Sequence, residues 1–165
     1  LYDTWEWKEK YYNIIPKKLN DLMYIDGPNE FIDKMVYRLG NNLFIFDDTD
    51  LMKLQIEQTY INSYIAQKNE TLIVNDSLFP EHTVGITFAD KYISELGNKL
   101  CELHPELDFV VLINMSTLTV SYRTVKDDLD LSDIAKGFGG GGHPKASGSR
   151  FDASIVNDML NNIFK

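Results

Sequence analysis

Thirteen consecutive residues hold most of what this chain offers for chemistry: Lys136-Gly-Phe-Gly-Gly-Gly-Gly-His143-Pro-Lys145-Ala-Ser147-Gly148. Five of the six positions from 137 to 142 are glycine, so the backbone can approach a ligand closely and take up positive φ. Successive N–H groups in such a turn form a concavity that binds anions. Side-chain donors follow at once in His143, Lys145 and Ser147. The pattern predicts a phosphate-binding loop made of Gly139, Gly140, Gly141, Gly142, His143, Lys145 and Ser147. A flexible linker and a purely structural tight turn are the plainer alternatives. Linkers, however, mix glycine with serine and do not sit between an apolar helix and an apolar strand.

Two familiar glycine loops are excluded by context. Gly137-Phe-Gly139-Gly-Gly-Gly142 satisfies the dinucleotide fingerprint G-x-G-x-x-G, which works only between a strand and a following helix. Here the run follows a helix and leads into a strand. The nucleotide-triphosphate loop needs Lys and then Ser or Thr after its last glycine, and this chain has His143-Pro144. Upstream, Arg123 closes the strand-like Thr119-Val-Ser-Tyr-Arg123 and could fork onto a phosphate with two parallel N–H bonds. The net charge is −9, yet residues 134–151 contain no Asp or Glu and carry Lys136, Lys145 and Arg150. An acidic chain with one basic, glycine-rich stretch fits a small phosphate site better than a long nucleic-acid track.

Metal chemistry finds less support. His82, His104 and His143 are far apart and lack ligand spacing. Leu43-Phe-Ile-Phe-Asp47-Asp-Thr-Asp50 looks like a strand followed by paired carboxylates, as in a metal-dependent phosphatase. Nothing downstream adds ligands, and Asp47 or Asp50 would serve naturally as the cap of the next helix. Cys101 is the only cysteine, which forbids an intrachain disulfide and fits a reducing compartment.

The elements that must position these residues change character along the chain. Thr4 could cap a short helix carrying Trp5 and Trp7. Gly27-Pro28 opens another, with Phe31, Met35 and Leu39 expected on a buried face. A third runs from about residue 50 to 68, with Leu51, Leu54, Ile61 and Ile65 along one stripe. Beyond residue 69, strands are predicted over 71–74, 82–88, 109–113, 117–123 and 146–151. Helices are predicted over 90–103, over 131–136 and after Asp152. Ile93, Leu96, Leu100 and Leu103 should face inward on the first of these, and Ile155, Met159 and Ile163 on the last. The expectation is an α/β domain with a mixed sheet and a GGGGH loop over 70–165, preceded by a helical linker segment over 1–69. No apolar run approaches the ~20 residues of a membrane-spanning helix. The charged, aromatic N-terminus is no signal peptide, so a soluble, cytoplasmic protein without a membrane partner is expected. The missing initial Met suggests a cut from something longer.

Thr119-Val-Ser-Tyr-Arg123, Leu131-Ser-Asp-Ile-Ala-Lys136 and Gly139-Gly-Gly-Gly-His143 through Ala146-Ser-Gly148 together resemble the C-terminal associated domain of the DHH phosphoesterase superfamily. That superfamily includes RecJ-like nucleases, oligoribonucleases of the nanoRNase type and cyclic-dinucleotide phosphodiesterases. Ser94-Glu-Leu-Gly-Asn98 resembles a helix motif ahead of that signature, and Tyr2-Asp-Thr-Trp5-Glu-Trp7 the tail of the catalytic domain. The resemblance implies a two-domain enzyme hydrolysing phosphodiester or phosphate bonds in short oligonucleotides or nucleotides. Residues 1–69 would be the end of the catalytic domain and a helical linker, and 70–165 the substrate-binding domain. Arg123 and His143 would contact phosphate with help from the backbone of Gly140 to Gly142. His143 could act as a general acid, but a positioning role is favoured. A manganese pair (Mn2+) would belong to the N-terminal domain with its Asp-His-His motif, which is absent here. This chain would then hold no metal and be inactive alone. The implied partners are a nucleotide or short single-stranded oligonucleotide and the N-terminal DHH domain. Two other readings remain open: a non-catalytic RNA-binding module like the tail of alanyl-tRNA synthetase, and a nucleotide sensor.

Overall fold

A computed structural model describes residues 13–43 and 45–165. The expected helix around Trp5 and Trp7, its Thr4 cap and the motif at Tyr2 to Trp7 lie outside the described residues. The chain divides into two compact units, 1–60 and Ile61–Lys165.

The first unit contains α1 (Ile15–Asp26), α2 (Pro28–Gly40) and the start of α3 (Asp48–Glu70), inside which the division falls. α1 is an addition to the sequence reading. Its signals are Pro16 in the first turn and Gly27 just past its end, at φ 82°, where a left-handed residue favours glycine. On α2, Phe31 and Met35 are half-buried as apolar spacing predicts, but the third position of that stripe is not. Leu39 is exposed, whereas Arg38 is buried and Lys34 half-buried. These cations turn inward because carboxylates meet them: Lys34 pairs with Asp26 and Asp50, Arg38 with Asp47 and Asp50, and Lys53 with Asp26. On α3, Leu54, Ile61 and Ile65 turn inward but Leu51 is exposed.

The paired aspartates are thereby explained. Asp47 Oδ1 accepts from the Asp50 N–H at 2.9 Å, and Asp50 Oδ2 accepts from the Asp47 N–H at 3.3 Å, a reciprocal cap at the start of α3. Of the expected strand before them, the described residues 43, 45 and 46 are not extended into a sheet.

In the second unit six strands form one mixed sheet in the order β1-β2-β3-β4-β6-β5. They are β1 (Ile73–Asn75), β2 (Val84–Phe88), β3 (Phe109–Asn114), β4 (Thr119–Arg123), β5 (Gly141–His143) and β6 (Ala146–Arg150). Only β2 and β3 are parallel, joined by a crossover through α4 (Ile93–Leu103). β3 is apolar from Phe109 to Ile113 because both its faces are covered. On one face α4 brings Leu96, Leu100 and Cys101 against Val110 and Leu112. On the other, Leu131 and Ala135 of α5 (Leu131–Gly137) meet Phe109, Val111 and Tyr122. Leu103, expected inward, is about half exposed at the end of α4.

The glycine run is not a free loop. Gly141–His143 is an edge strand, and Pro144-Lys145 turns the chain into β6. The last helix, α6 (Ser154–Ile163), has Ala153 at its cap position, one residue past the expected Asp152, whose Oδ1 accepts from the Ser154 N–H at 2.7 Å. Its apolar stripe is exposed at Ile155, Met159 and Ile163. Helical spacing identifies an apolar side but not what will cover it.

Candidate functional site

Strand pairing decides which functional side chains can meet. β4 pairs with β6 so that Arg123 lies opposite Ala146, and β6 with β5 so that Ala146 lies opposite His143. Paired residues project to the same face of a sheet. Arg123, Ala146 and His143 therefore form one row, the two end Cα atoms about 10 Å apart across two strand spacings. The residue between them is small, which leaves the space above it open. Further rows continue on that face: Ser121 with Gly148 and Gly141, then Thr119 with Arg150. An open hollow of about 500 Å3, lined by Thr119, Val120, Ser121, Gly139, Gly140, Gly148, Ser149 and Arg150, begins beyond the Arg123–His143 row at the Ser121–Gly148 pair.

Arg123 is half-buried. Its stem fits against α4 because position 97 is glycine: a Cβ there would stand 2.4 Å from Arg123 Cγ and 2.9 Å from its Cβ. Cys101 Sγ donates to the Arg123 carbonyl at 3.2 Å, and burial pushes that thiol up to about 11, so it stays neutral. The guanidinium donates through Nη1 to the Tyr122 carbonyl at 2.9 Å. Among the described residues no carboxylate lies within ion-pairing distance of it; Glu95 acts only at longer range. Burial lowers its pKa from the ordinary arginine value, against weaker opposing effects of Cys101 and Glu95. A guanidinium has five donors in a rigid fork, and a partly desolvated one lacking a carboxylate is suited to an incoming phosphate.

His143 is exposed, and its Nδ1 faces the Lys145 N–H at 3.4 Å. Lys145 and Ser147, predicted as phosphate ligands, hold the hairpin instead. Lys145 Nζ donates to the Lys126 carbonyl and to Asp127 Oδ1 at 2.7 Å. Ser147 is buried on the opposite face, where its hydroxyl donates to the His143 carbonyl at 2.8 Å. Backbone ties complete the anchoring: the Leu131 N–H donates to the Pro144 carbonyl at 2.9 Å and the Thr124 N–H to the Lys145 carbonyl at 3.2 Å. His143 thus stands on a fixed turn.

The glycines divide by function. A Cβ on Gly140 would meet the Gly148 carbonyl at 2.1 Å, and one on Gly142 the Ala146 carbonyl at 2.7 Å. Gly142 also has φ +147°. These two permit β5 to lie on β6. Gly139, at φ +70°, and Gly141 have open space where a Cβ would be, and Gly141 shares the face of Arg123. Gly97, Ser121 and Gly148 join the site without having been singled out as site residues, and Arg150 stands outside the Arg123–His143 row. Arg150 was visible only as part of the basic stretch.

Among the described residues no group of three His, Cys, Asp or Glu side chains could hold a metal ion. His82 instead sits near Asp108, and His104 near Glu106 and Asn69. A manganese pair does not fit what these residues provide.

Comparison with known proteins gives one strong likeness. Over 148 residues the chain is 43% identical to the oligoribonuclease NrnB of Bacillus subtilis, a match covering 89% of this chain and 36% of that protein. The chain thus spans little more than a third of the curated relative's length. Solved structures match loosely. RecJ from Thermus thermophilus in complex with Mn2+ shares 13% identity at a TM-score of 0.47, over 77% of this chain and 22% of its own. A pGpG-specific phosphodiesterase from Vibrio cholerae shares 9% at 0.47, over 71% and 42%. No protein-family model matches the chain.

Proposed function

This chain belongs to the DHH phosphoesterase family through the span it shares with NrnB, and we propose that it is the part that grips substrate in a hydrolase acting on short oligonucleotides. The observation that carries this reading is the row Arg123–Ala146–His143. It pairs a partly desolvated guanidinium without a carboxylate and an exposed imidazole across a small residue, beside an open hollow. Arg123 would hold a phosphate by charge-assisted N–H bonds and His143 would approach the same group from the facing strand. Their role is to fix the phosphate, since positioning a reactant in the right geometry itself lowers the barrier. Hydrolytic chemistry on this reading resides in a partner DHH domain outside these residues, which also holds the Mn2+ ions.

The measurement is steady-state kinetics of the complete enzyme on a short oligoribonucleotide, beside thermal melts. One charge-assisted contact contributes roughly 1.5–3 kcal/mol, so Arg123→Ala or His143→Ala should lower kcat/KM about ten- to two-hundredfold. Lys145→Ala should lower the melting temperature more than it lowers affinity, since its ammonium braces residues 125–127. Wild-type kinetics for the Arg123→Ala, His143→Ala double variant would refute the proposal.

A further inference from the structure

Arg150 stands on the same face as Arg123 but at the opposite end of β6, in the wall of the hollow, and this separation bears on substrate length. From Ala146, opposite Arg123, to Arg150 is four residues along β6, which puts the two arginines about 14 Å apart at ~3.4 Å per residue and one strand spacing. Arg123 is held back from leaning toward Arg150. The Arg123 stem is wedged at Gly97 and its Nη1 is tied to the Tyr122 carbonyl, which keeps its head at its own end of the row. Between the two lie Ser121, Gly148 and Gly141, none of them bulky, and the first two line the hollow. Among the described residues Arg150 has no ion-pair partner, and the walls of the hollow carry no carboxylate.

Resting on the phosphate-gripping role of Arg123 and His143, we propose that Arg150 is the far end of a length-measuring site, holding a second phosphate separated from the first by at least one nucleotide. With each guanidinium over its own end of the face, neighbouring phosphates on a strand are too close together for adjacent ones to occupy both arginines. The first ligand able to reach Arg150 is then one with three phosphates in line, such as a 5′-phosphorylated trinucleotide. A 5′-phosphorylated dinucleotide would engage only the Arg123 end. The hollow contains no aromatic ring, so the intervening nucleotide is held by small-residue backbone and the Ser121 hydroxyl, not by stacking. Such holding suits a site indifferent to base identity.

The test is kcat/KM of the complete enzyme on 5′-phosphorylated di-, tri- and tetranucleotides of one base. Arg150→Ala should lower kcat/KM for the trinucleotide and tetranucleotide by about tenfold, the effect of losing one phosphate contact. It should leave the dinucleotide within about twofold, and Arg150→Lys should recover part of the loss. Thermal melts should not move, because Arg150 is exposed. An equal loss at all three lengths, or none at any, overturns the length-measuring site. Arg123→Ala distinguishes this failure from that of the underlying reading: it should lower all three lengths together, and wild-type rates there would remove the phosphate anchor itself.

Discussion

Gly97 is buried inside α4 and touches no ligand in this scheme, yet it determines where Arg123 stands. Gly97→Ala would place a methyl 2.4 Å from Arg123 Cγ and 2.9 Å from its Cβ. These atoms lie near the backbone and cannot swing away cheaply. The expected outcome is a stability loss of about 1–3 kcal/mol from overpacking together with a fall in kcat/KM approaching that of Arg123→Ala. Denaturant unfolding and kinetics on the same variant check both. The glycine run makes a second residue-level comparison. Gly140→Ala and Gly142→Ala collide with backbone carbonyls and should destabilise the sheet edge by about 1–3 kcal/mol. Gly141→Ala meets open space, so its melting temperature should hold while its methyl obstructs the Arg123 face. Equal melting temperatures for all three would contradict the packing of β5 on β6.

At the scale of elements, α1, α2 and α3 are clamped by charge. The Asp26 and Asp50 side chains are almost fully buried. Burial alone would raise their pKa values, but the hydrogen bonds and charges of Lys34, with Lys53 for Asp26 and Arg38 for Asp50, outweigh it and hold both carboxyls below the usual range. A carboxyl depressed in the folded state contributes stability that is fully present above its unfolded pKa of about 3.9. That contribution is lost as pH falls through the folded value. Helical content should therefore be flat above about pH 5 and begin to fall below about pH 4, as followed by circular dichroism. Asp26→Asn leaves Lys53 facing a neutral group and Lys34 with Asp50 alone, and should cost roughly 1.5–3 kcal/mol in urea unfolding at pH 7. It should also weaken the acid transition. A sequence-based reading of α2 by apolar spacing chose Leu39 for the inner face. The ion-paired Arg38 took that place because a buried carboxylate was available on another helix.

For the molecule as a whole, the described residues contain no metal-binding cluster, and no described helix is long and apolar enough to cross a membrane. The 165-residue chain by itself should show no hydrolysis of a dinucleotide with added manganese. Robust turnover by a clean preparation would place catalytic groups within this chain and refute the division of labour proposed above. The same preparation should still bind a 5′-phosphorylated trinucleotide through Arg123, His143 and Arg150. Its affinity should fall as salt rises, because each phosphate contact releases counterions.

The sequence by itself determined the succession of elements beyond residue 69, apart from the edge strand Gly141–His143 that it read as a loop, and the residue types of the site. Periodicity and capping are local, and Asp152, Leu96 and Leu100 could be placed from their neighbours alone. It also marked Arg123, His143 and the glycines by composition and resemblance. Only the tertiary structure decided which of them share a face. Arg123 and His143 stand in one row because β4, β6 and β5 pair in a particular register, and a slip of one residue would send either to the other side of the sheet. The same register turned Ser147 inward, left Lys145 bracing a loop and brought Arg150 into the wall of the hollow. Register is set by contacts between residues distant in sequence, so strand alternation indicates two faces without saying which is the site.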